Sequence, residues 1–171
     1  PLDAKSLKSI AIIGPNADQV QFGDYTWSRN NKDGVTPLQG IKNRVNKNTA
    51  IHYAKGCSLT SLDTSGIAEA VEAAKNSEVA VIFGGSASAA LARDYKSSTC
   101  GEGFDLNDLN LTGAQSQLIR EVYRTGTPVI LVLVTGKPFA IEWEKNNLPA
   151  ILVQWYAGEQ AGNSIADILF G

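Results

Sequence analysis

Short unbroken apolar runs alternate along this chain with longer stretches of helical spacing. The runs at 9–13, 49–54, 78–83, 129–134 and 150–154 are rich in Val, Ile, Leu and Ala and read as strands. Strands without a polar alternation are covered on both faces. Between them, 36–45, 65–76, 112–124, 139–147 and 162–169 read as helices. Thr36 is the predicted N-cap of the first, with Pro37 at its first helical position. In 65–76 the apolar residues Ile67, Ala70, Val71 and Ala74 recur at helical spacing. Thr112 is the expected cap of 112–124, where Leu118, Ile119 and Val122 share a side, and Trp143 is expected in the core.

Strand and helix in alternation imply right-handed parallel crossovers. The predicted fold is therefore α/β: a three-layer sandwich with an open, mostly parallel sheet of five or six strands and helices on both faces. A length of 171 residues fits one domain spanning 1–171. Ligands of such sheets bind beyond the carboxyl ends of the strands. The segments that leave that edge after 13, 83, 134 and 154 are thus the candidates for function. The stretch 86–111 has no clean period, and a loop this long in a compact domain is usually functional or mobile.

Composition narrows the classes. Apolar residues make up 43% and charged residues 19%, ordinary values for a globular domain. A net charge of -2, with both signs interspersed, excludes the basic stripe that nucleic-acid binding needs. No apolar run approaches the roughly 20 residues of a membrane span. A single His and no Cys-x-x-Cys spacing argue against a metal site, and no organic cofactor is implied. Gly84-Gly85-Ser86 follows a strand but fits neither dinucleotide nor P-loop spacing, so it is read as a tight strand exit. Cys57 and Cys100 are far apart in sequence, and both pairing and free thiols stay open. With no Met, even at position 1, the chain reads as an excised part or processed product of a longer one, the former being favoured.

Within the long loop stands Cys100-Gly101-Glu102-Gly103-Phe104-Asp105. Glycines on both sides leave the carboxylate uncrowded and permit backbone angles other residues avoid. That suits a Glu presented to a ligand, and it suits an ordinary exposed loop. Asp105 either hydrogen-bonds the loop backbone and supports Glu102 or turns the chain, a structural role being favoured. Arg93, Asp94 and Tyr95, in the same loop, offer a charged fork beside an aromatic for sugar hydroxyls, or form a solvated loop with an internal ion pair. A thiol nucleophile at Cys100 lacks a Cys–His arrangement, since His52 falls inside a strand. Phe22-Gly-Asp-Tyr-Thr-Trp27 sets aromatics in a polar loop after the first strand. Trp27 stacks on a sugar ring or packs on a neighbouring domain; Trp155-Tyr156 carries the same ambiguity.

Gly101-Glu-Gly-x-Asp105, followed by Leu-x-Leu-x-Gly and Gln115, resembles the acid/base segment of glycoside hydrolase family 3. Ile10-Ala-Ile-Ile-Gly-Pro-Asn-Ala17 resembles the opening strand of that family's second domain, and Phe22-Gly-Asp-Tyr-Thr26, Tyr53-Ala-Lys-Gly-Cys57, Thr125-Gly-Thr-Pro-Val-Ile-Leu-Val-Leu133, Gly136-Lys-Pro138, Trp155-Tyr-Ala-Gly-Glu-Gln-Ala-Gly162 and Ile165-Ala-Asp-Ile-Leu-Phe-Gly171 resemble later segments of it. The resemblance covers essentially the whole chain, as the second, C-terminal α/β sandwich domain of that family. It departs at Cys100, where Ser is usual. It implies a retaining β-glycosidase acting on β-glucosides or β-xylosides, with oligosaccharides or aryl glycosides as substrates. Glu102 would be the general acid/base, with Arg93, Tyr95 and Trp27 as candidate substrate contacts and Asp105 in support. The nucleophile, an Asp, belongs in that family to a preceding (β/α) barrel domain that this sequence lacks, so the chain alone would be inactive. No residue marks a compartment, and the family is compatible with a periplasmic or secreted enzyme. The competing reading is a non-catalytic, flavodoxin-like module that binds a sugar or a partner.

Overall fold

The computed structural model describes residues 1–27, 30–88 and 99–171. Five strands form the sheet, β1 (Ser9–Ile13), β2 (Ala50–Ala54), β3 (Val79–Gly85), β4 (Val129–Val134) and β5 (Ala150–Gln154). Their order is β2-β1-β3-β4-β5, and every neighbouring pair is parallel. The helices are α1 (Pro37–Arg44), α2 (Ile67–Lys75), α3 (Gln115–Tyr123), α4 (Glu142–Asn147) and α5 (Ala161–Phe170).

The pleat divides the core in two. Ile10 and Ile12 of β1 face a cluster with Leu38 and Ile41 of α1 and Ile165 and Leu169 of α5. Ala11 and Ile13 face the opposite cluster, with Ala70 and Ala74 of α2 and Leu118, Ile119 and Val122 of α3. A strand buried on both sides needs an apolar residue at every position, which is why these strands read as unbroken runs. The three-layer α/β sandwich is thus the observed architecture.

Each helix start has its own cause. Thr36 Oγ1 accepts from the Gln39 N–H at 3.2 Å and donates to Asp18 Oδ1 at 2.7 Å, so the expected cap of α1 is present. Thr112 does not cap α3. Its hydroxyl donates to the Leu59 carbonyl at 2.7 Å, and Ala114 occupies the cap position without a side-chain bond. A tertiary acceptor has taken the hydroxyl a local cap would have used. Helix α4 starts at Glu142 rather than 139, and the Ala140 N–H just before it donates to the Leu109 carbonyl at 2.8 Å. Trp143 is partly buried at the rim of the core, not inside it. Tyr123 meets it edge-on at 5.3 Å between centroids, and the Arg120 guanidinium lies 5.1 Å from its ring.

Helices α1 and α5 approach until backbones touch. A Cβ on Gly162 would stand 2.0 Å from the Thr36 carbonyl oxygen, and one on Gly40 would stand 2.0 Å from the Gly162 oxygen. Only a residue without a side chain fits at either place.

On the other side of β3, register ends before the strand does. β1 pairs with β3 only from Ile10–Val79 to Ile13–Ile82, whereas β4 follows β3 to Gly85. The exposed flank of the overhang is closed by amide side chains. Gln115 Oε1 accepts from the Gly85 N–H at 2.7 Å, and its Nε2 donates to the Gly85 carbonyl at 3.0 Å. Asn16 Nδ2 donates to the Gly84 and Ser86 carbonyls at 3.3 and 3.2 Å. This gap between β1 and β3 is where the strand order switches direction, the crevice at which α/β sheets of this kind bind ligands.

Candidate functional site

Glu102 stands at the tip of a tight turn on this edge. The Phe104 N–H donates to the Gly101 carbonyl at 3.1 Å, closing the turn with Glu102 and Gly103 in its two central positions. Gly103 has φ +68, the region a type II turn demands at its third residue. A Cβ there would meet nothing within 4 Å, so the glycine serves the backbone angle and not close packing. The Glu102 side chain is exposed.

Both flanks of the turn are fastened. Upstream, Thr99 and the β3 exit hold each other: the Thr99 N–H donates to the Ala87 carbonyl at 3.1 Å and Thr99 Oγ1 accepts from the Ala87 N–H at 2.9 Å. Cys100 bridges to Ser88 in a short parallel pairing. Downstream, Lys137 Nζ donates to the Asp108 carbonyl at 3.3 Å, beside the Leu109–Ala140 bond. The segment is a tethered arch rather than a free loop, and Glu102 occupies its crest.

Two residues of the loop after β1 reach that crest. Asp24 Oδ2 accepts from the Glu102 N–H at 2.5 Å. The Tyr25 hydroxyl donates to Glu102 Oε2. This hydrogen bond to a carboxylate, with a smaller effect of burial, raises the Tyr25 pKa above its ordinary value, which keeps the phenol protonated as a donor. Tyr25 is itself 83% exposed, so the pair presents an aromatic face and a carboxylate side by side to solvent.

Below the turn lies a polar cluster. The Tyr156 hydroxyl is 2.6 Å from Cys100 Sγ and 2.8 Å from Ser86 Oγ. Ser86 also donates to Thr135 Oγ1 at 3.2 Å. Burial, then the contact with Cys100, raise the Tyr156 pKa well above its usual value, so the phenol stays neutral. Both cysteines are free and buried. Burial pushes the Cys57 thiol up to about 11, the reverse of what a nucleophile needs. The partners of Cys100 are Tyr156, Ser86 and the Ala87 carbonyl, none of them a base for a thiolate.

Among the residues expected at the site, Glu102 falls on the functional edge. Asp105 is exposed beyond the turn, and the acceptor that holds the Glu102 backbone is Asp24. Trp27 is fully exposed, and Tyr25, two residues earlier, makes the contact with Glu102. Arg93, Asp94 and Tyr95 lie outside the described residues. Sequence reasoning noticed the Phe22–Trp27 aromatics and weighed Trp155-Tyr156 for stacking or interdomain packing, but gave no individual role to Asp24, Tyr25 or Gln115. The available signal was an Asp-Tyr pair after a glycine at the end of a strand on the functional edge. Among the described residues no group of three or more His, Cys, Asp and Glu is placed to hold a metal ion, and no helix is long and apolar enough to cross a membrane.

An open parallel sheet with helices on both faces and an arch-mounted carboxylate beyond its strand ends defines a doubly wound α/β domain, and comparison with known proteins gives its family. The model of the glycosyl hydrolase family 3 C-terminal domain matches residues 1–171. The chain belongs to that family. It is 40% identical to a β-xylosidase of Formosa agariphila over its full length, covering 23% of that protein. It is 36% identical to a periplasmic β-glucosidase of Salmonella typhimurium, with 99% of the chain and 24% of that protein covered. Among solved structures, a glycoside hydrolase family 3 exo-β-xylosidase bound to a xylobiose aziridine probe superposes with a TM-score of 0.83 at 29% identity, over 98% of this chain and 20% of that one. A β-glucosidase from Listeria innocua in complex with isofagomine matches with a TM-score of 0.82 at 26% identity, over the whole chain and 22% of its own. The chain thus spans about a quarter of the length of the curated relatives it matches.

Proposed function

We propose that this chain is the acid/base-bearing domain of a retaining β-glycosidase acting on terminal β-xylosides or β-glucosides. The observation that carries the reading is Glu102: an exposed carboxylate on the crest of a tethered turn, beside an aromatic, at the carboxyl edge of the sheet. The relatives named as β-xylosidases and β-glucosidases support the substrate class.

Retaining hydrolysis takes two steps and two carboxyl groups about 5 Å apart. In the first, a carboxylate attacks the anomeric carbon while Glu102 gives its proton to the departing oxygen. The glycosidic C–O bond breaks as the bond to the enzyme forms. In the second, Glu102, now ionised, takes a proton from water, whose oxygen displaces the enzyme carboxylate and restores the β configuration. Tyr25 donates to Glu102 Oε2 and so keeps the other oxygen directed away from the loop. The attacking carboxylate belongs to another domain, a (β/α) barrel of the same polypeptide. Asp24, the nearby carboxylate, is occupied by the Glu102 N–H. The chain by itself therefore turns over no glycoside.

The test compares this chain, the full-length enzyme and its Glu102→Ala variant on nitrophenyl β-xyloside and β-glucoside. The expected result is an inactive chain, an active enzyme and a slow variant that azide accelerates, yielding the β-glycosyl azide, because azide needs no general base. Activity of the pure chain, or a variant as fast as the parent, overturns the reading.

A further inference from the structure

We infer that Tyr156 is a positioning residue for the acid/base turn, a side chain through which loops of the catalytic edge are brought to a common alignment. The inference rests on the reading of Glu102 as acid/base. Tyr156 follows β5, the strand farthest from β1, yet it touches the segments that leave β1, β3 and β4. Its hydroxyl meets Ser86 at the exit of β3 and Cys100 at the foot of the Glu102 turn, at 2.8 and 2.6 Å. One edge of its ring lies 2.9 Å from where a Gly136 Cβ would stand, in the loop after β4. Another part of the ring lies 3.4 Å from the corresponding point on Gly23, next to Asp24 and Tyr25. The two glycines admit the ring, and the hydroxyl fixes it.

The Glu102 N–H donates to Asp24, its carboxylate accepts from Tyr25, and it stands two residues beyond Cys100. A shift of the Tyr156 ring would therefore move donor and acceptor groups on both sides of the carboxyl group. Tyr156 itself remains below the turn and hydrogen-bonds Cys100 and Ser86, so it acts through others. Displacements of about 1 Å in a positioned group slow reactions by as much as 10²-fold.

The experiment uses the full-length enzyme. Tyr156→Phe keeps the ring and removes the hydroxyl. The expected result is a fall of about tenfold in kcat/KM for an unactivated β-xylobioside, with less than about twofold for dinitrophenyl β-xyloside, whose leaving group needs no proton. Cys100→Ala should show the same leaving-group pattern, and Cys100→Ser, which keeps a polar partner for the phenol, should recover most of it. The double variant Tyr156→Phe, Cys100→Ala should be no slower than either single one, as expected for two residues acting through one contact. Equal slowing of both substrates, or none, overturns the inference; so does additivity in the double variant. Should Tyr156→Phe fail to fold, the two Cys100 variants decide by the same criterion. Glu102→Ala with azide is run alongside. No loss there removes the acid/base reading itself, whereas loss with azide rescue, joined to a flat response at Tyr156 and Cys100, removes only the positioning role.

Discussion

Two contacts in this domain are equally close and opposite in kind. Where α1 meets α5, backbone rests on backbone, with no side chain at Gly40 or Gly162 to yield. Where the β1 loop meets the Glu102 turn, exposed side chains reach across to the crest of an arch tethered only at its flanks. The first contact is packed and dry and can change only by breaking. The second is polar and exposed and can change by degrees. Stability and placement of the proposed acid/base are therefore expected to rest on different parts of the molecule, and substitutions should separate them.

The largest separation is expected at Glu102. In the full-length enzyme, Glu102→Ala should lower kcat/KM for unactivated glycosides by about 10²–10⁴, the range for loss of a general acid. Its melting temperature should stay within about 1 °C, since exposed substitutions seldom matter to stability. A large drop in melting temperature would show the turn to be part of the scaffold after all. The mirror image is Gly162→Ala. A methyl group 2.0 Å from the Thr36 carbonyl forces the helices apart, with an expected loss of about 3 kcal/mol in denaturant unfolding. Folded material should keep its turnover, and a selective kinetic defect at full stability would erase the distinction.

Smaller effects sharpen it. Asp24→Ala leaves the Glu102 N–H to water and should cost about tenfold in kcat with little change in KM, because the carboxyl group loses its fixed direction and not its binding surface. An effect confined to KM would make Asp24 a substrate contact instead. The smallest concerns Cys57, which is buried in the core on the α2–α3 face of the sheet, away from both contacts. Burial pushes its folded pKa up to about 11, above the 9.0 of a free thiol. The thiol is neutral in both states below pH 9, so stability is unaffected there. As pH rises from 9 towards 11 the unfolded chain ionises first, and this contribution to stability is progressively lost. Urea midpoints over that interval should fall less steeply for Cys57→Ala than for the parent. Identical slopes would place the thiol in contact with water.

The strands were legible to the residue where an apolar run ends at a turn signal: 9–13, 129–134 and 150–154 coincide with β1, β4 and β5. Burial on both faces leaves little freedom in such runs. Thr112 misled because a hydroxyl serves whichever carbonyl is nearest, and Leu59 lies 53 positions away. Trp143 misled because a large ring in a helix was assigned to the interior, whereas Tyr123 and Arg120 cover it at the rim. At the site, Glu102 could be read because glycines on both sides are a local signature. Asp24 and Tyr25 could not, since their role exists only after folding brings together groups 78 and 77 positions apart.

The Gln115 amide carries one more consequence. A ladder of main-chain bonds is dictated by the neighbouring strand and cannot be lengthened by one substitution. At Gly85 the neighbour has already turned away, and a single side chain stands in for it, giving and taking one bond each. The reach of the central strand past its partner is thus written in one codon. Gln115→Leu would strand a buried N–H and a buried carbonyl, each costing about 1–3 kcal/mol, and the strand would be expected to fray back toward Phe83. The arch that bears Glu102 springs from that strand's end, so this amide sets the height at which the domain offers its carboxylate to whatever surface faces it.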